Sequence, residues 1–368
     1  MKIAVVIDTW FPVIGGGQIN AWEISRRIVK SGCQIDIITR NNGEYKGEKV
    51  KNLNVIQIGS TSNPDANFSR LFFLIRAFFL VRGKKYDVIH LQAFLPGLLA
   101  PLVRYFLKKP TIFTVHGTRM FEKNPKPFFG FWLEKIILTK IKYDVQISVT
   151  KAFLKFKNVN KQSFSSNKNI KVIGNGIDLK RFAKVKVEKA PYPKILWVGR
   201  FDKVKRVDNL IMVMKDVIWE IPEAKLTLVG YGYEENNLKK LTKKLNLNKH
   251  VEFAGKKTGD DLIREYKSSH LFVICSDSEG QPLSILEAQA AYLPVVATKT
   301  GGIPEIVENN INGLLVPPND YNSLENAIIW CLKNKNDFGQ RGHLKVAKMD
   351  SWDDIANKTL SIYRELSK

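Results

Sequence analysis

The chain has 368 residues, 44% of them hydrophobic and 25% charged. That length and balance suit about two globular domains of roughly 150 residues each and exclude a disordered or fibrous protein. Formal net charge is +23, and residues 1–189 carry nearly all of it, with 33 Lys and Arg against 12 Asp and Glu; residues 190–368 hold 25 against 23. A basic half beside a near-neutral half implies a surface that meets something anionic: lipid head groups, an acidic soluble molecule or nucleic acid.

From the start, MKIAVVID reads as a strand ending at Asp8 rather than as a signal peptide. QIDIITR, NVIQIG, DVIHL, TIFTVH and DVQISV follow as further buried strands. Between them AWEISRRIVKSG, SRLFFLIRAFFLVRG, the stretch around LLAPLVRYFLKK, and FWLEKIILTKI read as helices. Near-continuous apolar strands separated by helix-length segments indicate a parallel sheet covered on both faces. The longest apolar run, LFFLIRAFFLV, is broken by Arg76 and falls short of the roughly 18 residues that span a bilayer. After KAPYPK the pattern restarts with ILWVG, KLTLVG, VEFAG, LFVICS, PVVAT and GLLVPP, again alternating with helices. Two such sheets would place the carboxyl ends of their strands toward a central cleft. The last segment, SWDDIANKTLSIYRELSK, reads as a helix capped by Ser351. Cys33, Cys275 and Cys331 are odd in number and widely spaced, as expected for reduced buried thiols in a cytosolic protein.

Dinucleotide binding is excluded: DTWFPVIGGG after the first strand lacks G-x-G-x-x-G, and Arg40, Asn41 and Asn42 end the second strand where an acidic ribose ligand would stand. The strongest local signal runs from His270 to Leu293. Strand HLFVICS enters loop DSEGQP and then helix LSILEAQAAY, with Pro282 suited to the first helical turn. The backbone N–H groups of Leu283 and Ser284 would offer a diphosphate the positive end of the helix dipole. Glu279 in the loop could face a sugar while Glu287, one turn into the helix, accepts from ribose hydroxyls; an ordinary solvated loop is the competing reading. In ILWVGRFDKVKRVDNLI, Arg200 and Lys205 could clamp a diphosphate, or be solvated charge as Lys203 and Arg206 are expected to be. Gly15 to Gly17 open the first helix and let backbone approach a ligand, or form a plain loop. His90 and His116 end strands on one sheet edge, either as site residues or as structural ones. TGGIPEIV, with Gly301 and Gly302, either hugs a nucleotide or turns the chain. No Asp-x-Asp pair and no His/Cys cluster with metal-ligand spacing occurs, so no metal site and no cofactor is expected.

Together these segments resemble glycosyltransferase family 4, retaining enzymes of the GT-B fold, over essentially the whole chain. SDSEGQPLSILEAQAAYLPVVAT matches the family's Glu-x7-Glu motif through Glu279 and Glu287. WVGRFDKVK matches the phosphate clamp through Arg200 and Lys205, and VIGNGID, TGGIPEIV, NGLLVPPND and SWDDIANKTLSIY match further signatures. The resemblance implies an α/β fold of two Rossmann-like doubly wound parallel-sheet domains: an acceptor-binding domain over 1–188, a nucleotide-sugar-binding domain over 189–348, and a C-terminal helix over 349–368 crossing back to the first. It implies a catalytic set of Glu279, His116, Arg200 and Lys205, and a donor set of Gly16, Gly17, Arg200, Lys205, Glu279, Gly280, Leu283, Ser284 and Glu287. The mechanism implied is front-side attack, with the donor's β-phosphate helping to deprotonate the acceptor, and no metal. The expected reaction moves a hexosyl group from a nucleotide diphosphate sugar to a glycan, polysaccharide or lipid-linked acceptor.

Six positions depart from the family pattern: Gln281-Pro282 where Phe-Gly is common, Arg206 and Tyr292 where Gly is common, Gly174 for Pro, and Gly117 for Asp. Two alternatives stand beside this reading. A nucleotide-sugar epimerase of the same fold could use Glu279 and His116 as acid and base. A non-catalytic binder of anionic polymers could use the basic half, although nucleic acid is not an expected partner because interleaved aromatics on a sheet face are missing. The basic half, with FSRLFFLIRAFFLVRGKKY and its Arg70, Arg76, Arg82, Lys84 and Lys85, suits either an interfacial helix on the cytosolic face of an anionic membrane or a core helix with basic ends.

Overall fold

The computed structural model describes residues 1–43, 47–59, 67–121, 129–154 and 169–368. Their contacts form two compact units, one from the described residues of 1–118, 124–176 and 350–368, the other from those of 119–123 and 177–349.

The first unit holds β1 (Lys2–Ile7), β2 (Gln34–Arg40), β3 (Leu53–Ile58), β4 (Val88–Gln92), β5 (Thr111–Val115), β6 (Val145–Ser148) and β7 (Ile170–Val172). All pair in parallel, in the order β3-β2-β1-β4-β5-β6-β7. The strands are apolar on both faces because helices cover both; β4, β5 and β6 are buried at every residue. Strand order reverses between β1 and β4, and ligands of such sheets sit beyond the strand carboxyl ends at that reversal. Six of these strands are the runs expected from sequence; β7, three half-buried residues at the sheet edge, is not among them. Helices α1 (Gly16–Ile28), α2 (Asn67–Gly83) and α3 (Phe129–Thr139) lie where expected. LLAPLVRYFLKK forms no single helix: one turn at Ala100–Leu102 leads into a π-helical stretch, Val103–Leu107, ended by Lys108 at φ 50°.

The second unit repeats the pattern with β8 (Lys194–Arg200), β9 (Lys225–Tyr231), β10 (Val251–Gly255), β11 (Leu271–Ile274), β12 (Val295–Thr298) and β13 (Leu314–Val316), ordered β10-β9-β8-β11-β12-β13 and all parallel. Its helices are α4 (Val207–Glu220), α5 (Glu235–Lys244), α6 (Gly259–Ser268), α7 (Leu283–Ala290), α8 (Tyr321–Lys333) and α9 (Phe338–Ala347). Trp197, Leu210, Met214, Leu228, Val273 and Ile328 meet in its core. Here the order reverses between β8 and β11.

The last helix, α10 (Trp352–Leu366), packs on α1 in the first unit. It starts with a reciprocal cap: Ser351 Oγ accepts from the Asp354 N–H, and Asp354 accepts from the Ser351 N–H at 2.9 Å. Arg27 on α1 reaches Asp353 at 3.0 Å. The NGI segment makes room for this arrival. Asn20 donates to the buried Asn175 at 2.9 Å, and a Cβ on Gly176 would lie 2.5 Å from the Trp352 nitrogen. Cys33, Cys275 and Cys331 are free and buried, as expected. No helix among the described residues is long and apolar enough to cross a membrane.

Candidate active site

In the second unit the residues singled out from sequence follow the two strands that flank the reversal. Arg200 is the last residue of β8, and its guanidinium pairs with Asp202 at 2.8 Å while staying 41% exposed. Lys205 ends a 3-10 turn, and its ammonium donates to Glu279 Oε1 at 2.7 Å. Ser276 Oγ donates to the same oxygen, also at 2.7 Å. The Lys205 turn is fastened to the end of β11, since the Asp277 N–H bonds Val204 O at 2.8 Å and Cys275 Sγ bonds Arg206 O at 2.9 Å. Glu279 is only 8% exposed, so the ion pair works in a partly dry setting where charge-assisted bonds are strong.

TGGIPEIV closes on the same carboxylate's backbone. The Gly302 N–H donates to Glu279 O at 3.2 Å, and a Cβ on Gly301, at φ +50°, would lie 1.8 Å from that oxygen. Only glycine fits there. Two segments far from it in sequence, the Lys205 turn and Gly301-Gly302, therefore converge on Glu279.

Gly280 is buried directly behind Glu279, and Pro282 in extended conformation leads into α7. Its N-cap residue, Pro282, makes no side-chain cap bond; Leu283 is buried and Ser284 half-buried in its first turn. Glu279 precedes the first residue of this helix by four positions, on the side of its positive dipole end. Glu287 stands one turn further in, where the Tyr266 hydroxyl donates to its Oε2 at 2.7 Å. Burial pushes the Glu287 carboxyl up to about 7, against the opposing pull of that hydrogen bond. Two carboxylates eight residues apart thus have different environments: one is ion-paired to lysine, the other is bonded to a phenol.

Several supporting groups escaped the sequence reading. Ser276 and Tyr266 are among them; so are Gly230 and Gly232, where a Cβ would lie 1.8 Å from Gly199 O and 2.6 Å from Phe201 O. Those glycines let the ends of β8 and β9 run backbone against backbone and fix where Arg200 emerges. The G-Y-G after KLTLV was the available signal. Lys203 is a surface residue as expected, 88% exposed. Arg206, expected to be surface charge, is instead built into the loop: it donates to Asn209 at 2.8 Å and faces Asp208 and Asp277.

In the first unit Gly16 opens α1, and a Cβ on Gly17 would lie 3.2 Å from His116 Cδ2, so this glycine lets the imidazole pack against the helix start. His116 Nε2 and Gln92 Oε1, at the ends of neighbouring strands, are 2.9 Å apart. Burial depresses the His116 pKa to about 4, leaving a neutral ring at physiological pH. His90 does not share that edge. It lies inside β4, 1% exposed, with Nδ1 2.6 Å from the Tyr363 hydroxyl of α10 and Nε2 2.7 Å from Thr114 Oγ1. Both nitrogens are consumed by the fold, and the residue is structural. Arg40 at the end of β2 is likewise buried, gripping Asp8 beyond β1 at 2.6 Å.

Among the described residues no group of three or more His, Cys, Asp or Glu side chains could hold a metal ion.

Two family models match the chain, "Glycosyltransferase Family 4" over residues 14–181 and "Glycosyl transferases group 1" over residues 178–345. An uncharacterized glycosyltransferase of Methanocaldococcus jannaschii is 28% identical, over 99% of this chain and 98% of its own. The N-acetyl-alpha-D-glucosaminyl L-malate synthase of Bacillus anthracis is 26% identical, over 100% of this chain and 98% of its own. Among solved structures, Anabaena HepE in complex with UDP and glucose superposes with a TM-score of 0.77 at 18% identity, covering 100% of both chains. The two models abut near residue 180 and the relatives align from end to end: the chain belongs to glycosyltransferase family 4 and is a nucleotide-sugar-dependent enzyme of the GT-B fold.

Proposed function

We propose that the chain transfers a hexosyl group, with retention at the anomeric carbon, from a uridine diphosphate sugar to a hydroxyl of a glycan, polysaccharide or lipid-linked acceptor. The observation that carries this reading is the Lys205–Glu279 pair in the loop that leads into α7. The donor diphosphate lies across that opening, taking the N–H groups of Leu283 and Ser284 and the cations Arg200 and Lys205. Glu279 and Gly280 meet the sugar, and Glu287 accepts from the ribose hydroxyls. HepE, similar over its whole length, was solved with UDP and glucose, which supports uridine as the base.

In the transfer, the acceptor oxygen bonds the anomeric carbon on the face from which the diphosphate departs, and the acceptor proton passes to a phosphate oxygen. Arg200, Lys205 and the helix dipole stabilise the charge that builds on the leaving diphosphate. The carboxyl edge of the first sheet, with Gly16, Gly17 and the neutral His116, serves the acceptor.

Incubation with UDP-, GDP- and ADP-sugars, reading nucleoside diphosphate release and the anomeric configuration of the product by NMR, tests this. Release from a UDP-sugar with an α-linked product from an α-donor is expected. An inverted product, or an epimerised nucleotide sugar without acceptor, would overturn it.

A further inference from the structure

We propose that the outer face of α2, continued by residues 102–106, is a docking surface for a bilayer containing anionic phospholipid. α2 has two apolar faces. Phe73, Leu74, Ala77 and Val81 enter the core, whereas Leu71, Phe72, Ile75 and Phe79 on the other side are 38–57% exposed. The second face joins the π-helical stretch through Phe78 and Phe106, whose rings lie 6.2 Å apart; there Tyr105 is 78% and Phe106 63% exposed. A surface helix ordinarily turns a polar face outward, and a cluster of bulky apolar side chains left in water marks an interaction site.

Charge decides what covers it. Residues 67–110 hold eight Lys and Arg against one acid, Asp87, which is taken by the Lys2 N–H at 2.7 Å. Arg76 lies over the Phe72 ring at 5.0 Å, and Arg82, Lys85 and Lys108 are exposed around the apolar face. Lys84 is not part of this rim, because it reaches the buried Asp36 at 3.1 Å, and Arg104 is held by Asp144. Aromatic and aliphatic side chains ringed by cations suit the boundary between acyl chains and acidic head groups, with the arginines reaching outward to phosphate. A second copy fits poorly: a two-fold contact would set each basic rim against itself. The inference is independent of the donor assignment, since none of these residues belongs to the proposed site.

The test is co-sedimentation of the full chain with vesicles of phosphatidylglycerol and phosphatidylcholine in equal parts, and with phosphatidylcholine alone. Binding to the anionic vesicles at low salt, weakening as salt rises, is expected. Phe79→Ser with Phe106→Ser should lower the partition coefficient about tenfold or more, because two exposed aromatic rings are lost from the lipid boundary. Arg76→Gln with Arg82→Gln and Lys85→Gln should lower it at least about tenfold on anionic vesicles alone. All these positions are exposed, so an unchanged thermal midpoint checks folding, and Lys239→Gln with Lys240→Gln on α5 should leave binding unaltered. Three results would overturn the proposal: no binding by the unaltered chain at low salt, wild-type binding by both sets of variants, or a concentration-dependent dimer dissolved by the same substitutions.

Discussion

Lys205 and Glu279, 74 positions apart, meet at 2.7 Å, and Ser276 bonds the same carboxylate oxygen from below. The pair holds in place two groups that the proposed transfer needs in fixed positions. Removing either partner strands the other in a partly dry site. Glu279→Ala and Lys205→Ala should each destabilise the chain by about 1–3 kcal/mol and lower transfer by roughly 100-fold or more. The double variant should lose less stability than the two singles added together, because both remove one shared interaction. Denaturant unfolding and steady-state kinetics on the four proteins would measure this; strictly additive losses would mean the contact carries no coupling.

Glu287 gives a pH signature. Burial raises its pKa to about 7, and only the ionised form has its full capacity to accept from ribose hydroxyls. UDP affinity should therefore climb as pH rises through about 7, beyond the change shown by Glu287→Gln, which controls for ionisation of the diphosphate itself. Tyr266→Phe removes a donor that favours the carboxylate, so the midpoint should move to higher pH. The sign for folding is opposite. The folded state holds this proton more tightly than the unfolded chain, so the stability of the unliganded protein should fall as pH rises from the ordinary carboxylate range to about 7, then level off. Calorimetric titrations and thermal melts across that range check both signs.

Strand number and type were legible because parallel strands buried on both faces announce themselves as apolar runs, and only the three-residue edge strand β7 carried too little pattern. That Arg200, Lys205 and Glu279 follow strand ends and Glu287 stands inside the next helix was legible from the apolar runs before them. Their partners were not: Tyr266 reaches Glu287 across 21 positions from another helix, and no local pattern encodes that contact. His90 misled because position along a strand was read as position at its end, a difference of two residues that exchanges the sheet edge for the core. Two departures from the family pattern gain a physical meaning. Arg206 and Tyr292, where glycine is common, both sit at positive φ, 50° and 61°. Each accepts a left-handed backbone worth about 1 kcal/mol of strain. Arg206 offsets it through its bond to Asn209, and Tyr292 by stacking on His343 with ring centroids 3.7 Å apart.

The His90–Tyr363 contact predicts a stability effect within the first unit. Tyr363→Phe would leave a buried imidazole nitrogen without its partner and loosen α10 where it meets the sheet. A loss of about 1–3 kcal/mol in unfolding free energy is expected, with UDP affinity of the folded protein unchanged. Equal stability of the variant in urea would show that the hydroxyl contributes nothing to holding the helix.

The clamp predicts how the reaction responds to charge and to metal. Arg200 is two-fifths exposed and, among the described residues, ion-paired only to Asp202, so Arg200→Ala should fold as the unaltered chain does while losing most of its transfer rate. Charge on the departing diphosphate would lose one directional partner, an effect of roughly 100-fold when such a group faces a developing anion. Arg200→Lys should recover only part of the rate, because an ammonium keeps the charge without the paired geometry of a guanidinium. If Arg200, Lys205 and the opening of α7 together carry the leaving-group charge, EDTA should leave turnover nearly unaltered, and added Mg²⁺ or Mn²⁺ should not rescue Arg200→Ala. Turnover abolished by EDTA and restored by either ion would place that charge on a metal and remove the clamp from the mechanism.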